Sequence, residues 1–214
     1  MKIISVNIGQ ERSIPNAKAS GKTGIYKIPT HAPVQITPHG IPEDAICDTK
    51  NHGGPDQAIY IYGMADYQAW SQALGHELEP GTFGENLTIS ELESAAFHVG
   101  DTFLINEVRL QVTSPRLPCV TLAARMGDHK FQEKFRQAER PGLYCRVLHA
   151  GLVQEGEAVN LERYTGETIS ILQMFRDSYL HNLDAATVQH HLAAPIAIRD
   201  RLQKEKQLQK LLGN

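Results

Sequence analysis

Short apolar runs that alternate with polar positions, each bounded by glycine, proline, asparagine or aspartate, fill the first three quarters of the chain. Residues 1–6, 34–36, 57–62, 86–89, 102–105, 108–113, 143–148 and 158–161 carry this two-residue period and are predicted strands. Their close spacing predicts a mainly β fold, an antiparallel, barrel-like sheet. Residues 143–148 and 158–161 flank a turn-rich segment and are expected to close it as a hairpin. Two helices interrupt the strands. Met64, Tyr67, Trp70 and Leu74 stand at helical spacing over residues 64–74, with Gly75 as the stop. Leu122, Met126, Phe131 and Phe135 mark a second helix over 121–138, broken around Gly127-Asp128.

The period changes after Thr165, where glycine almost disappears. Ile169, Leu172, Phe175 and Tyr179 define one helix; residues 183–192 suit a second with Asp184 as its N-cap, and 195–212 a third. The expected organisation is a β-rich domain over residues 1–163 and a three-helix extension over 164–214. The last helix, around Arg199-Asp200-Arg201-Leu202-Gln203-Lys204-Glu205-Lys206, is either a solvated face or a phosphate-facing or docking surface. The helices are suited to covering a pocket, docking a partner or pairing two protomers as a homodimer.

Composition narrows the function classes. A chain of 214 residues with 41% hydrophobic and 21% charged residues is ordinary for a globular protein. A formal net charge of −3 argues against a nucleic-acid polymer as the main partner. No apolar run approaches the ~20 residues that span a bilayer, and the apolar stretch at the N-terminus is too short for a signal peptide. No membrane partner is expected. Cys47, Cys119 and Cys145 are too few and too scattered for a disulfide framework or a zinc site, so a reducing cytoplasm is the expected setting.

Candidate chemistry gathers at three places. Cys119 ends the run Thr113-Ser114-Pro115-Arg116-Leu117-Pro118-Cys119, between strand-like residues and a helix start. The prolines stiffen this loop, and a nearby guanidinium favours thiolate, the form that ligates a soft metal or attacks an electrophile. The alternative is a buried cysteine acting as a small hydrophobe. The segment Lys50-Asn51-His52-Gly53-Gly54-Pro55-Asp56-Gln57-Ala58 sets a cation, an imidazole, a carboxylate and an amide around a Gly-Gly-Pro turn. His52 and Asp56 are spaced to share a proton; otherwise the turn only satisfies its own backbone. In Pro80-Gly81-Thr82-Phe83-Gly84-Glu85-Asn86-Leu87, amides near Gly84 and the Asn86 side chain suit an anion or a polar ring. Taken alone, that signal is weak, since a loop and turn explain it equally well, and the loop His39-Gly40-Ile41-Pro42-Glu43-Asp44 gives one about as weak. Walker, Gly-x-Gly-x-x-Gly and Gly-x-Ser-x-Gly motifs are missing, which disfavours nucleotide kinases, classical nicotinamide enzymes and serine hydrolases.

Taken together, His52-Gly53-Gly54-Pro55-Asp56-Gln57-Ala58, Phe83-Gly84-Glu85-Asn86-Leu87, Val99-Gly100-Asp101 and Ser114-Pro115-Arg116-Leu117-Pro118-Cys119 resemble the MOSC family, in particular its stand-alone bacterial members with a helical C-terminal extension. The resemblance covers essentially the whole chain. One departure is Gly40-Ile41-Pro42-Glu43-Asp44, where the family usually has Gly-Leu-x-Gly-Asp. The resemblance implies a mononuclear molybdenum–pyranopterin cofactor with Cys119 as the protein's metal ligand. It implies reduction of N-hydroxylated small molecules such as hydroxylaminopurines, hydroxylamines and amidoximes. On this reading Cys119, Asp56 and His52 are the catalytic residues, Asp56 or His52 delivering the proton. Thr113, Ser114, Arg116, Gly84, Asn86 and Gln57 contact the cofactor. Electrons come from a separate redox protein, since no flavin, iron–sulfur or haem motif occurs. The rival expectation is a sulfur carrier holding a persulfide on Cys119, or a protein that binds the cofactor without turnover.

Overall fold

The computed structural model describes residues 1–14, 21–49 and 52–213. Its strands, in chain order, are β1 (Ile3–Gly9), β2 (Arg12–Ser13), β3 (Lys22–Thr23), β4 (Lys27–Thr30), β5 (Val34–Ile36) and β6 (Ile59–Gly63), then β7 (Leu87–Ile89), β8 (Thr102–Ile105), β9 (Val108–Pro115), β10 (Leu143–His149), β11 (Gly151–Val153) and β12 (Asn160–Glu162). The helices are α1 (Met64–Leu74), α2 (Val120–Arg125), α3 (Phe131–Ala138), α4 (Ile171–Asp177), α5 (Ala185–Ala193) and α6 (Ile198–Leu211). Eight strands form one sheet in the order β12-β8-β9-β10-β6-β7-β1-β4.

The fold is mainly β, with a large sheet that is mixed rather than purely antiparallel. β6 and β7 run parallel because α1 carries the chain across between them. The sheet does not close. An isolated bridge between Lys2, just before β1, and Ala158, just before β12, links the two sides of the sheet without a continuous ladder. The expected hairpin over 143–148 and 158–161 does not form either. β10 pairs with β9 and β6, β12 pairs with β8, and the intervening β11 pairs with β5. Turn residues marked a reversal there, but they could not show that the reversing chain pairs elsewhere.

Strand periodicity sorts side chains into two cores. In β6, Ile59 and Ile61 enter a large aliphatic core, while Tyr60 and Tyr62 enter a second, aromatic one. β10 divides the same way: Leu143 and Cys145 join the first core, and Tyr144 packs against the second. Cys145 is therefore core filling, and burial raises its thiol pKa. The aromatic core gathers Trp70, Phe83, Phe131 and Phe135 beneath α1 and α3, with Trp70 and Phe131 stacked at 5.0 Å.

Helix ends follow local chemistry. Gly75 adopts φ 75° and stops α1, a left-handed cap that glycine takes without strain. Gly127, at φ 63°, separates α2 from α3. Ser170 and Asp184 cap α4 and α5 by accepting the Gln173 and Thr187 N–H groups. The last fifty residues contribute to the aliphatic core of the sheet. Ile169, Ile171, Met174, Ala194 and Ile196 are buried in the same aliphatic core as β8, β9 and β10. Among the described residues, no helix is long and apolar enough to cross a membrane.

Candidate functional site

β9 positions the site. Its first half alternates, with Val108, Leu110 and Val112 buried and Arg109 exposed, as expected of a strand with one face on the core. From Thr113 to Arg116 every residue is buried. The chain then passes through Leu117 and Pro118, and Cys119 becomes the N-cap of α2 at φ −121° and ψ 167°. Its thiol opens into a cleft of about 700 Å³ of non-atom space, part of it solvent.

Burial alone would push the Cys119 thiol up. A hydrogen bond with the His52 side chain, the Arg116 charge and the Leu122 N–H outweigh it and bring the pKa down to about 5. Cys119 is therefore a thiolate at neutral pH, as the loop's arginine led us to expect.

Arg116 is held as a rigid cation. It donates to the Phe83 carbonyl and its guanidinium lies 4.9 Å from the Tyr60 ring centroid. Its Nε is buried with no partner among the described residues. Gly84 adopts φ 75°, and a Cβ there would come within 2.8 Å of Ile25 Cγ1. Only glycine lets this backbone approach so closely. The loop is fixed from below by Glu85, whose Oε1 accepts from Tyr67 Oη at 2.6 Å, Gly81 N at 2.7 Å and Thr88 Oγ1 at 2.8 Å.

His52, Gln57, Gly84, Asn86, Arg116 and Cys119 thus line one cleft, although they come from three separate segments. Gln57 Oε1 is buried there without a partner. Asn86 is turned to the protein: Oδ1 accepts the Tyr60 N–H at 3.1 Å and Nδ2 donates to Asp44 at 2.9 Å. Lys50 and Asn51 lie outside the described residues.

Three expected site residues stand elsewhere. Asp56 does not line the cleft. One carboxylate oxygen lies 2.9 Å from Arg146 Nε and the other accepts the Ile198 N–H at 2.7 Å. It ties the turn to the C-terminal helices. Gly53 and Gly54, at φ 77° and 85°, rotate the chain between His52 and Asp56 and send them to different sides. Thr113 Oγ1 donates to the Asp56 and Tyr144 carbonyls at 2.6 and 3.1 Å, so its role is to brace the turn against the sheet. Ser114 faces a separate, larger groove.

Sequence reasoning passed over the opposite wall. Lys27 and Asp44 form a buried ion pair there, with side chains 8% and 5% exposed. Asp44 also accepts the Gly9 N–H at 2.7 Å, so a single carboxylate joins β1, β4 and Asn86, just before β7. Burial pushes the Lys27 ammonium down, against the pull of Asp44. The glycine-to-Glu43 departure does no harm: Glu43 is exposed, while Asp44, Ala45 and Ile46 reach the cleft. Tyr60 and Tyr144, rings 5.1 Å apart, complete the floor. The alternation of β6 and β10 was the signal that put both tyrosines on this face.

Fold and site together define a mainly β protein with an ionised cysteine at the base of a ligand cleft. The MOSC domain family model matches residues 48–160, and the chain belongs to that family. It is 31% identical to the uncharacterized protein YflK of Bacillus subtilis over 92% of this chain and 89% of that one. It is 32% identical to protein YiiM of Escherichia coli over 74% of this chain and 70% of that one. The crystal structure of YiiM from Geobacillus stearothermophilus superposes with a TM-score of 0.78 at 27% identity, covering 97% of this chain and 98% of that one. A more distant relative, a reductase of Gibberella moniliformis, is 27% identical over 65% of this chain and a 25% portion of its own length. The chain is a YiiM-type MOSC protein.

Proposed function

We propose that this protein is a molybdenum-cofactor-dependent reductase of N-hydroxylated compounds, with the Cys119 thiolate as the protein's ligand to the metal. The observation that carries the reading is the ionised sulfur of Cys119 opening into a cleft that Arg116, His52, Gln57 and Asn86 also line. MOSC domains are associated with molybdenum cofactor binding, and one distant relative is named a reductase.

The residues present fit such a group. Among the described residues, no three His, Cys, Asp or Glu side chains are grouped to hold a metal. A metal at Cys119 must therefore arrive with most of its ligands already attached, as a pterin-borne metal does. A soft thiolate suits that centre. Gln57 Oε1 and Arg116 Nε, buried and unpartnered, are the polar atoms that a heteroaromatic ring and its anionic tail would satisfy. When bound, the cofactor supplies the two-electron chemistry that removes oxygen from an N–OH group.

The chain's own residues then have definite tasks. Arg116 and His52 keep the Cys119 sulfur ionised. His52, at the mouth shared with the larger groove, holds the proton that the departing oxygen requires. Tyr60 and Tyr144 line the cleft with aromatic rings. Asp56, expected as a second proton donor, takes no part. Electrons come from a separate redox protein.

The reading is tested on protein purified from a molybdenum-replete host, with an artificial electron donor and hydroxylaminopurine. The expected result is stoichiometric molybdenum and pterin with turnover, and loss of turnover in Cys119→Ser with the fold intact. Full turnover in Cys119→Ser refutes the thiolate ligand. Metal-free protein carrying cyanide-labile sulfur would favour the sulfur-carrier role instead.

A further inference from the structure

A second space lies under the C-terminal helices. It is a groove of about 2150 Å³ of non-atom space, open to solvent along its length, and His52, Gln57 and Tyr144 line both it and the Cys119 cleft. The two spaces therefore meet at those three side chains. The groove's sheet wall is Ser114, Pro115 and Leu117; its roof is α6.

The roof is basic. α6 turns Arg199, Lys204, Lys206 and Lys210 to the groove, against the acids Asp177 and Asp200. Asp177 is already committed, accepting from Gln173 Nε2 at 2.7 Å and lying 2.7 Å from His191 Nε2. The local excess of positive charge opposes the net charge of −3 on the chain as a whole. Among the described residues, neither Lys206 nor Lys210 meets a carboxylate at ion-pair distance. The wall holds the second observation. Ser114 is 3% exposed and His191 1% exposed, and Ser114 Oγ, His191 Nδ1 and Gln57 Oε1 are all buried without a partner. Buried polar atoms are rarely left in that state unless a ligand or water completes them. The lining also includes the Tyr144 ring and Leu117.

We infer that the groove under α6 binds the phosphate of an N-hydroxylated nucleotide whose base reaches Cys119 through the His52–Gln57–Tyr144 opening. The identity of the reacting group rests on the proposed function; the phosphate site rests on the groove alone. Lys206 and Lys210 supply attraction, the unpartnered Ser114 hydroxyl donates a hydrogen bond, and Tyr144 supplies a face for the base. The protein would accept free bases, but prefer the phosphorylated form.

The cofactor's own phosphate is the other source of the same chemistry, so the test separates the two. Calorimetry on the full-length protein as purified compares adenosine 5′-monophosphate with adenosine. The expected result is a preference of roughly ten- to hundredfold for the monophosphate at low salt. That preference should shrink as salt rises. It should fall to about one in Lys206→Gln/Lys210→Gln and survive in Lys206→Arg/Lys210→Arg. Both sites are exposed helix positions where these exchanges cost little. Cofactor content should not change in either variant. Equal affinity for the two ligands overturns the inference. So does a preference that persists in the glutamine variant, or loss of cofactor from that variant with nucleotide preference unmoved. Lysine-dependent nucleotide binding without turnover of any N-hydroxylated compound would sink the reductase reading and leave the phosphate site standing. Turnover of free base and nucleotide with the same KM would do the reverse.

Discussion

An ionised thiol leaves a mark on stability as well as on chemistry. The Cys119 pKa falls from its ordinary value of 9.0 to about 5 in the folded protein. Between these values the unfolded chain binds a proton that the folded chain does not, so stability from this group rises with pH. It is fully present above about pH 9 and lost as pH falls through about 5. Serine does not titrate in that window. The stability of wild type relative to Cys119→Ser should therefore grow steadily from pH 5 to pH 9 in denaturant melts; a gap that stays flat would deny the ionisation. Asp44 permits a second test. Asp44→Ala removes the counter-ion of Lys27 in a site where the lysine side chain is only 8% exposed. Stranding one partner of a buried pair costs about 3–5 kcal/mol. A denaturation midpoint shifted by less than about 1 kcal/mol would show that the pair is dispensable. Cys119, Arg116, Gly84 and His52 were legible in the sequence because each brings a chemical capacity to a stiff or glycine-rich loop. Asp44 was harder to see: its role depends on partners in β1, in β4 and at Asn86, distant along the chain and invisible to local pattern.

Elements show the same division. α1 was readable to its last residue because its apolar spacing and Gly75 are local signals. The pairing of β10 and β12 was not, since two runs with a turn between them look alike whether or not they pair. Asp56 belongs at this scale. Four residues from His52, it looked like a proton partner, but the left-handed glycines between them make it a clamp on the start of α6. With Arg146, which donates to the Pro195 and Ile196 carbonyls at 3.1 and 2.9 Å, it pins the last helix to the sheet. Asp56→Ala should speed amide exchange across α6 while leaving the ionisation of Cys119 where it is. A shifted thiol titration with unchanged exchange would return Asp56 to the site.

At the scale of the molecule, the change of texture near residue 164 suggested a domain and an appendage. Glycine content marks the change from strands to helices, but it carries no information on whether the helices share a core. They do. Removing the chain after Tyr164 would empty the positions of Ile169, Ile171, Met174 and Ile196 in the aliphatic core. Each buried side chain of this kind contributes roughly 1.5–3 kcal/mol. Four together rival the whole stability of a typical domain, about 5–15 kcal/mol. The truncated chain should be insoluble or lack a cooperative melt. A soluble fragment with an unchanged Tm would restore the two-part organisation.

The three cysteines allow the most direct test of the central claim. Burial raises the thiol pKa of Cys47 and Cys145, whereas that of Cys119 is lowered. Brief alkylation with iodoacetamide across a pH series, read peptide by peptide by mass spectrometry, should modify Cys119 alone at pH 6, with a rate midpoint near pH 5. A Cys119 midpoint at or above pH 8 would contradict the account.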